Sequence, residues 1–190
     1  MKNDDILQDY DSERKLVERT TIQEVDSYEV GDKFRFTLKN GEVMWAIAVK
    51  KDVDGMEFIF IDCLATNYSM KSLDISLRAY LKRDILDLIP DNLLKNMKKF
   101  TNGAYLRLAT EKEIFGENKL GVREPDNIVQ FEPMKMLRNR ISFQRDDGMK
   151  YWLQNSVNDF NKYSVCVSAH GRVCYANISQ YHGVRPCFKL

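Results

Sequence analysis

The sequence predicts an α+β fold, and three observations carry that prediction. Two alternating segments flank the dipeptide Asn40-Gly41, an apolar stripe at helical spacing occupies residues 72–89, and short strand-like segments resume after Met149. Strands at both ends with helices between predict an N-terminal antiparallel meander, central helices, and C-terminal short strands returning to the same sheet. At 190 residues, 44% of them hydrophobic, the chain is long enough to bury one packed core. We read residues 1–28 as a polar leader, helical or partly ordered, and residues 29–190 as a single α+β domain.

The body opens near Val30-Gly31-Asp32. Phe34, Phe36 and Leu38 alternate with polar residues, and Asn40-Gly41 is a strong hairpin signal because a two-residue type I′ turn needs φ > 0 at both central positions. Such a turn predicts Leu38 opposite Val43, Phe36 opposite Trp45 and Phe34 opposite Ile47, all on one face, with Trp45 as a structural residue. A third strand over residues 56–62 follows the turn at Asp54-Gly55.

Leu73, Leu77, Tyr80, Leu81, Ile85 and Leu88 recur at spacings of three and four, which predicts a helix capped by Ser72 or Ser76 and stopped by Pro90. Asp91 then caps a second, short helix carrying Leu93, Leu94 and Met97. Residues 104–109 read as a strand. Thr110-Glu111-Lys112-Glu113 is a capping box, so a short helix runs to Phe115 and ends at Gly116. Residues 121–143, with Pro125 and Pro133, lack periodicity and read as a surface excursion. Asp146-Asp147-Gly148 reads as a turn.

From Tyr151-Trp152-Leu153 the strands return. Residues 164–176 form a hairpin around Ala169-His170-Gly171, and residues 184–190 form the last strand. A three-residue loop with Gly171 in the left-handed region sets Cys166 opposite Cys174, Val167 opposite Val173 and Val165 opposite Tyr175. Cross-strand Cβ spacing of about 4.5–5.5 Å brings the two thiols close. The pair reads as reduced neighbours, with a disulfide as the alternative.

Composition excludes several functions. Lys and Arg total 29 against 28 Asp and Glu, a net charge of +1, too little surplus cation for general nucleic-acid binding. No apolar run reaches the roughly 20 residues of a membrane span, and the first residues lack the apolar core of a secretory signal, so the expected location is cytoplasmic. The four cysteines, Cys63, Cys166, Cys174 and Cys187, contain no C-x-x-C pair, which disfavours zinc ribbons and thioredoxin-like sites. No phosphate loop, H-E-x-x-H or G-x-S-x-G motif is present. His170 and His182 are the only imidazoles, and neither sits in a catalytic signature, so no catalytic residue, metal or cofactor is assigned.

Several blocks together resemble an uncharacterised domain-of-unknown-function family found in gut bacteria and their phages. They are Val30-Gly31-Asp32-Lys33-Phe34, the hairpin with Trp45, Ser76-Leu77-Arg78-Ala79-Tyr80-Leu81 and Leu106-Arg107-Leu108-Ala109-Thr110-Glu111-Lys112-Glu113. The ending adds Tyr151-Trp152-Leu153-Gln154, residues 165–171 and Gly183-Val184-Arg185-Pro186. Where that family shows Trp-Leu-Arg, this chain has Gln154. The Trp block, hairpin and Arg-containing last strand also resemble C-type-lectin-like domains, including sulfatase-modifying-factor relatives and phage receptor-binding proteins. The first resemblance implies a bacterial or phage origin, and the second a C-type-lectin-like body supporting a binding excursion. Glu124-Pro125-Asp126-Asn127 is similar to a lectin calcium motif, but its Trp-Asn-Asp companion is missing, so it reads as a polar turn.

The leading expectation is a non-catalytic binding module for a protein or glycan. Its surface combines residues 121–143 with the cluster Tyr175, Asn177, Gln180, Tyr181 and His182, since Tyr and Asn pair rigid apolar area with adaptable hydrogen bonding. The alternatives are a Cys/His-dependent enzyme or metal-binding factor, and a structural particle component. Trp152 reads as core, and Arg185 as a buried cation held by an ion pair that locks the last strand. Oligomeric state is left open.

Overall fold

The computed structural model describes residues 28–65, 67–70 and 75–190. Their strands are β1 (Lys33–Thr37), β2 (Val43–Asp52), β3 (Gly55–Phe60), β4 (Tyr68–Ser69), β5 (Arg107–Leu108), β6 (Phe143–Gln144), β7 (Asp147–Gly148), β8 (Tyr151–Val157), β9 (Phe160–Val167), β10 (Val173–Asn177), β11 (Tyr181–His182) and β12 (Pro186–Lys189). Among the described residues the α-helices are short: α1 (Ile75–Tyr80), α2 (Asp91–Leu94), α3 (Glu111–Phe115) and α4 (Leu137–Arg140). Every strand pairing that defines a sheet is antiparallel. This is an α+β architecture.

A five-stranded sheet in the order β1-β2-β3-β12-β5 organises the molecule. The closing strand pairs with the third, Phe188 opposite Phe58 and Cys187 opposite Ile59. The two ends of the body therefore share one sheet, as the strand–helix–strand order predicts. Each sheet face covers its own apolar cluster. One holds Phe34, Phe36, Phe58, Phe60 and Phe188 under Leu77, Leu81 and Ile85 of the helical stretch. The other holds Ile47, Val49, Ile59 and Cys187 under Ile114, Phe131 and Met134, with Leu153 and Val165 beside them. Phe58 and Phe188 stack with ring centroids 5.4 Å apart, and Phe34 and Phe36 pack edge-on against them.

The first hairpin departs from expectation by one residue. Leu38 N–H donates to the Glu42 carbonyl at 2.8 Å and Gly41 N–H to the Leu38 carbonyl at 2.9 Å, so the loop is residues 39–41. Only Gly41 takes a positive φ there, +87°, which is a type I turn closed by a left-handed glycine rather than a type I′ turn. Phe36 now faces Met44, Phe34 faces Ala46, and Trp45 lies opposite Arg35. A one-residue slip sends every side chain to the other face. Ile47 accordingly belongs to the second cluster, and Trp45 is half-buried rather than among the phenylalanines.

Other expectations shift in detail. The leader lies outside the described residues except for Tyr28, which is buried against Phe34 and Phe58 and so packs with the body. The long helix keeps its stripe through Leu77, Leu81 and Ile85, but passes from α1 into a wider π-type turn over Leu81–Ile85 and a 3₁₀ turn over Leu86–Leu88. Ser72 and Leu73 lie outside the described residues, and position 76 is already helical. Asp91 is the first residue of α2, with Pro90 in the cap position. The strand expected over residues 104–109 shortens to β5, and that expected over 56–62 ends at Phe60. The capping box at Thr110 and Glu113 forms as expected, with Gly116 left-handed at the end of α3.

Residues 121–143 are not a free excursion. They carry a 3₁₀ turn (Glu132–Lys135) and α4, and Phe131, Pro133 and Met134 are buried against the second face of the sheet. Apolar residues without periodicity still reach a core when the loop bends to it. The turn expected at Asp146-Asp147-Gly148 is the β6–β7 hairpin, with Arg145 left-handed at φ 57°.

Candidate functional site

The most built polar region grows from the first turn of α3. Glu111 is fully buried there and its carboxylate faces the chain that follows the helix. One oxygen accepts from Lys119 N–H and Leu120 N–H, both at 3.0 Å; the other accepts from Gly121 N–H at 2.8 Å and Asn118 Nδ2 at 3.4 Å. Three consecutive backbone donors thus wrap one carboxylate, an arrangement that orders a loop without regular secondary structure. Gly121 is required on contact grounds: a Cβ there would lie 2.8 Å from Glu111 Oε2 and 2.9 Å from Asn155 Cβ.

Glu124 extends the same network. Its Oε1 accepts from Asn155 Nδ2 at 2.7 Å, Asn118 Nδ2 at 2.9 Å and Lys112 N–H at 3.1 Å, while its own N–H donates to Asn118 Oδ1 at 3.0 Å. Asn155, on β8, also accepts from Glu111 N–H at 2.7 Å. Glu124 is 8% exposed, yet its second oxygen, Oε2, is buried without a hydrogen-bond partner among the described residues. Backbone bonds from Val122 N–H to Ser156 and from Asn158 N–H to Leu120 dock the loop on the β8–β9 turn.

Above this network lies an open cleft of about 470 Å³, lined among others by Lys112, Asn118, Arg123, Glu124, Asp126 and Asn158. Lys112 Nζ donates to the Pro125 carbonyl at 2.9 Å, and Arg123 pairs with Asp126 at 3.4 Å. Two residues beyond Asn158 begins a row of aromatic rings. Phe160 meets Tyr163 at 6.3 Å between centroids, and Tyr163 meets Tyr175 at 5.6 Å, both edge-on. Phe160 is 60% and Tyr175 57% exposed, so these rings are surface available to a ligand.

The segment 175–182 divides between two places. Tyr175 joins the aromatic row. Asn177 turns inward on its own loop, accepting from Ser179 N–H and Oγ. Gln180 and Tyr181 are exposed, and Tyr181 pairs with Ser69 in the β11–β4 ribbon. His182 packs against Trp152 at 4.6 Å, and burial depresses its pKa to about 4. Trp152 is itself core, with Nε1 donating to the Tyr68 carbonyl at 2.7 Å. His170 is exposed at the hairpin tip. Among the described residues no group of three or more His, Cys, Asp or Glu side chains is arranged to hold a metal ion.

Arg185 corrects the expected ion pair. It is 2% exposed, and its partners are oxygens of neutral groups: the Phe60 carbonyl, the Asn139 carbonyl at 2.9 Å and the Tyr151 hydroxyl at 3.0 Å. The Tyr151 hydroxyl in turn donates a hydrogen bond to the Arg140 carbonyl at 3.0 Å. One guanidinium therefore joins the central sheet, the 137–140 helix and β8.

A charged cluster closes the far end of the second apolar layer. Arg107 donates to Glu57 and to both oxygens of Glu113, with its guanidinium 4.9 Å from the Phe100 ring centre. Burial, with Glu113 adding to it and Arg107 opposing, raises the Glu57 pKa from 4.5 to about 7. The unfolded chain sheds this proton near pH 4.5, whereas the folded chain holds it until about 7. Glu57 thus supports the fold most fully below about 4.5, and its contribution is lost as pH rises toward 7. Urea midpoints measured from pH 4.5 to 7.5 are expected to rise with pH less steeply than those of Glu57→Gln; parallel curves would refute the assignment.

Glu111, Asn118 and Asn155 are absent from the expected site residues. The capping box announced where Glu111 sits, but its partners lie eight to ten residues downstream in a loop with no period to read. Compared with known proteins, the chain matches no family model, no curated protein and no solved structure.

Proposed function

We propose that this protein is a non-catalytic recognition module that binds a protein or glycan ligand at the 112–126 cleft and the adjoining Phe160–Tyr163–Tyr175 row. The observation that carries the reading is Glu124: a carboxylate lining the cleft, fixed through one oxygen by three donors, with the other oxygen unpaired. A buried acceptor without a donor costs on the order of 1–3 kcal/mol, and because Oε2 is closed to solvent a ligand hydroxyl or amine removes that cost only by displacing the groups that cover it at the edge of the cleft. The lining interleaves donors (Lys112, Asn118, Arg123) with acceptors (Glu124, Asp126), and its Asn158 stands two residues before Phe160, the first of the exposed rings. That combination suits a polyhydroxyl ligand, whose hydroxyls need both partners and whose C–H faces stack on rings, so a glycan is favoured over a protein.

The C-type-lectin-like relationship and the bacterial or phage origin belong to this reading as proposals, supported by the sequence resemblance. A glycan array probed with the full chain and with Arg123→Ala/Asp126→Ala tests it. Both residues are exposed, so stability should change by less than about 0.5 kcal/mol. The expected result is a retained melting temperature with signal reduced at least roughly tenfold, a loss of about 1.4 kcal/mol in binding. Equal signal from both proteins, or none from either, overturns the glycan reading.

A further inference from the structure

Cys166 and Cys174 are directly opposed across β9 and β10, and their sulfurs lie 2.8 Å apart. The hairpin that holds them is tightly specified. Gly171 sits at φ 71°, buried against Leu137 and Ile141, and Ser168 and Arg172 close the loop with a 2.8 Å bond. We infer that Cys166 and Cys174 form a peroxide-responsive dithiol, in which Cys174 attacks a hydroperoxide and Cys166 resolves it into a disulfide.

Position separates the two roles. Cys166 is fully buried opposite Trp152 on β8, whereas Cys174 lies on the edge strand and is partly exposed, so an oxidant reaches Cys174 first. Charge agrees with position. A hydrogen bond from Cys166 and the nearby Lys150 ammonium hold the Cys174 thiol below its ordinary range, while Cys166 is held above its own. The remaining thiols are poor competitors. Cys63 is buried against Ser142 Oγ at 3.1 Å with its pKa pushed up to about 12, and Cys187 is fully buried with its pKa raised by the same cause.

The chemistry balances in two steps. The Cys174 thiolate attacks one peroxide oxygen; the S–O bond forms, the O–O bond breaks, and the departing hydroxide takes a proton from solvent to become water. Cys166 sulfur then attacks Cys174 sulfur; the S–S bond forms, the S–O bond breaks, and the second water leaves with the Cys166 proton. Two thiols and one hydrogen peroxide give one disulfide and two waters, the dithiol supplying both electrons. From 2.8 Å the sulfurs must approach by only about 0.8 Å to reach bonding distance. The bridge ties the edge strand bearing Tyr175 to β9, a consequence that stands whether or not the cleft binds glycan.

The test uses the reduced full-length chain, hydrogen peroxide in graded doses, quenching, alkylation under denaturing conditions and peptide mapping by mass spectrometry. The expected product is a 2 Da loss from a Cys166–Cys174 linkage, formed roughly tenfold or more faster than any modification of Cys63 or Cys187. Cys166→Ser should stop at a sulfenic acid on Cys174 that dimedone captures, and Cys174→Ser should give no dimedone adduct at Cys166. Should either variant fail to fold, the wild-type map decides. Four alkylatable cysteines at every dose, linkage through another cysteine, or an adduct at Cys166 in Cys174→Ser overturns the inference.

Discussion

Glu111→Gln should destabilise the protein by about 2–4 kcal/mol and release the 117–121 loop, although it changes only one oxygen to an amide nitrogen. Both carboxylate oxygens accept: one from two backbone N–H groups, the other from Gly121 N–H and Asn118. A glutamine must turn its NH₂ toward one of those donor sets, setting donor against donor in a site with no exposure to water. The freed amides lose their partner, and the segment between residues 117 and 126 loses its anchor. Chemical denaturation should give a lower midpoint, and amide signals of residues 119–121 should shift most. Glu111→Ala should cost at least as much, because it leaves both donor sets unpaired. A wild-type midpoint in Glu111→Gln would mean that these hydrogen bonds do not hold the loop.

Arg185→Met should lower stability by about 2–5 kcal/mol, a drop in melting temperature of roughly 5–15 °C for a chain of this size. Methionine fills much of the apolar volume beside Tyr151 but supplies no donor. The buried Phe60 carbonyl and the part-buried Asn139 carbonyl would then lose the bonds they now accept. Arg185→Lys retains the charge, yet one ammonium on a flexible stem cannot reach both carbonyls and the Tyr151 hydroxyl with the fixed fork of a guanidinium. It should recover less than half of the loss. Full recovery by lysine would show that charge rather than fork geometry matters at this position.

What could be read from the sequence followed locality. The 168–172 turn and its cysteine register came through because one loop length and one glycine determine them. The capping box at Thr110 is likewise contained in four residues. The first hairpin failed by one residue because Asn-Gly serves both a two-residue type I′ loop and a three-residue loop ending in a left-handed glycine, and only neighbouring strands choose between them. The wrong ion pair at Arg185 has a similar origin: a buried cation needs acceptors, but sequence does not say whether carboxylates or carbonyls will be nearest. The 121–143 segment misled most. Its burial is set by Phe131 and Met134 reaching a sheet face made of residues far away in the chain, and its cleft by two glutamates whose partners have no repeating spacing.

Amide hydrogen exchange of Lys119, Leu120 and Gly121 in the unliganded full chain bears most directly on whether Glu111 presents a preformed cleft. These three amides should exchange at least roughly a hundredfold more slowly than in an unstructured peptide, and should lose that protection in Glu111→Gln. Exchange at unstructured rates in the wild-type protein would contradict a loop fixed by the buried carboxylate and remove the basis for a rigid binding site there.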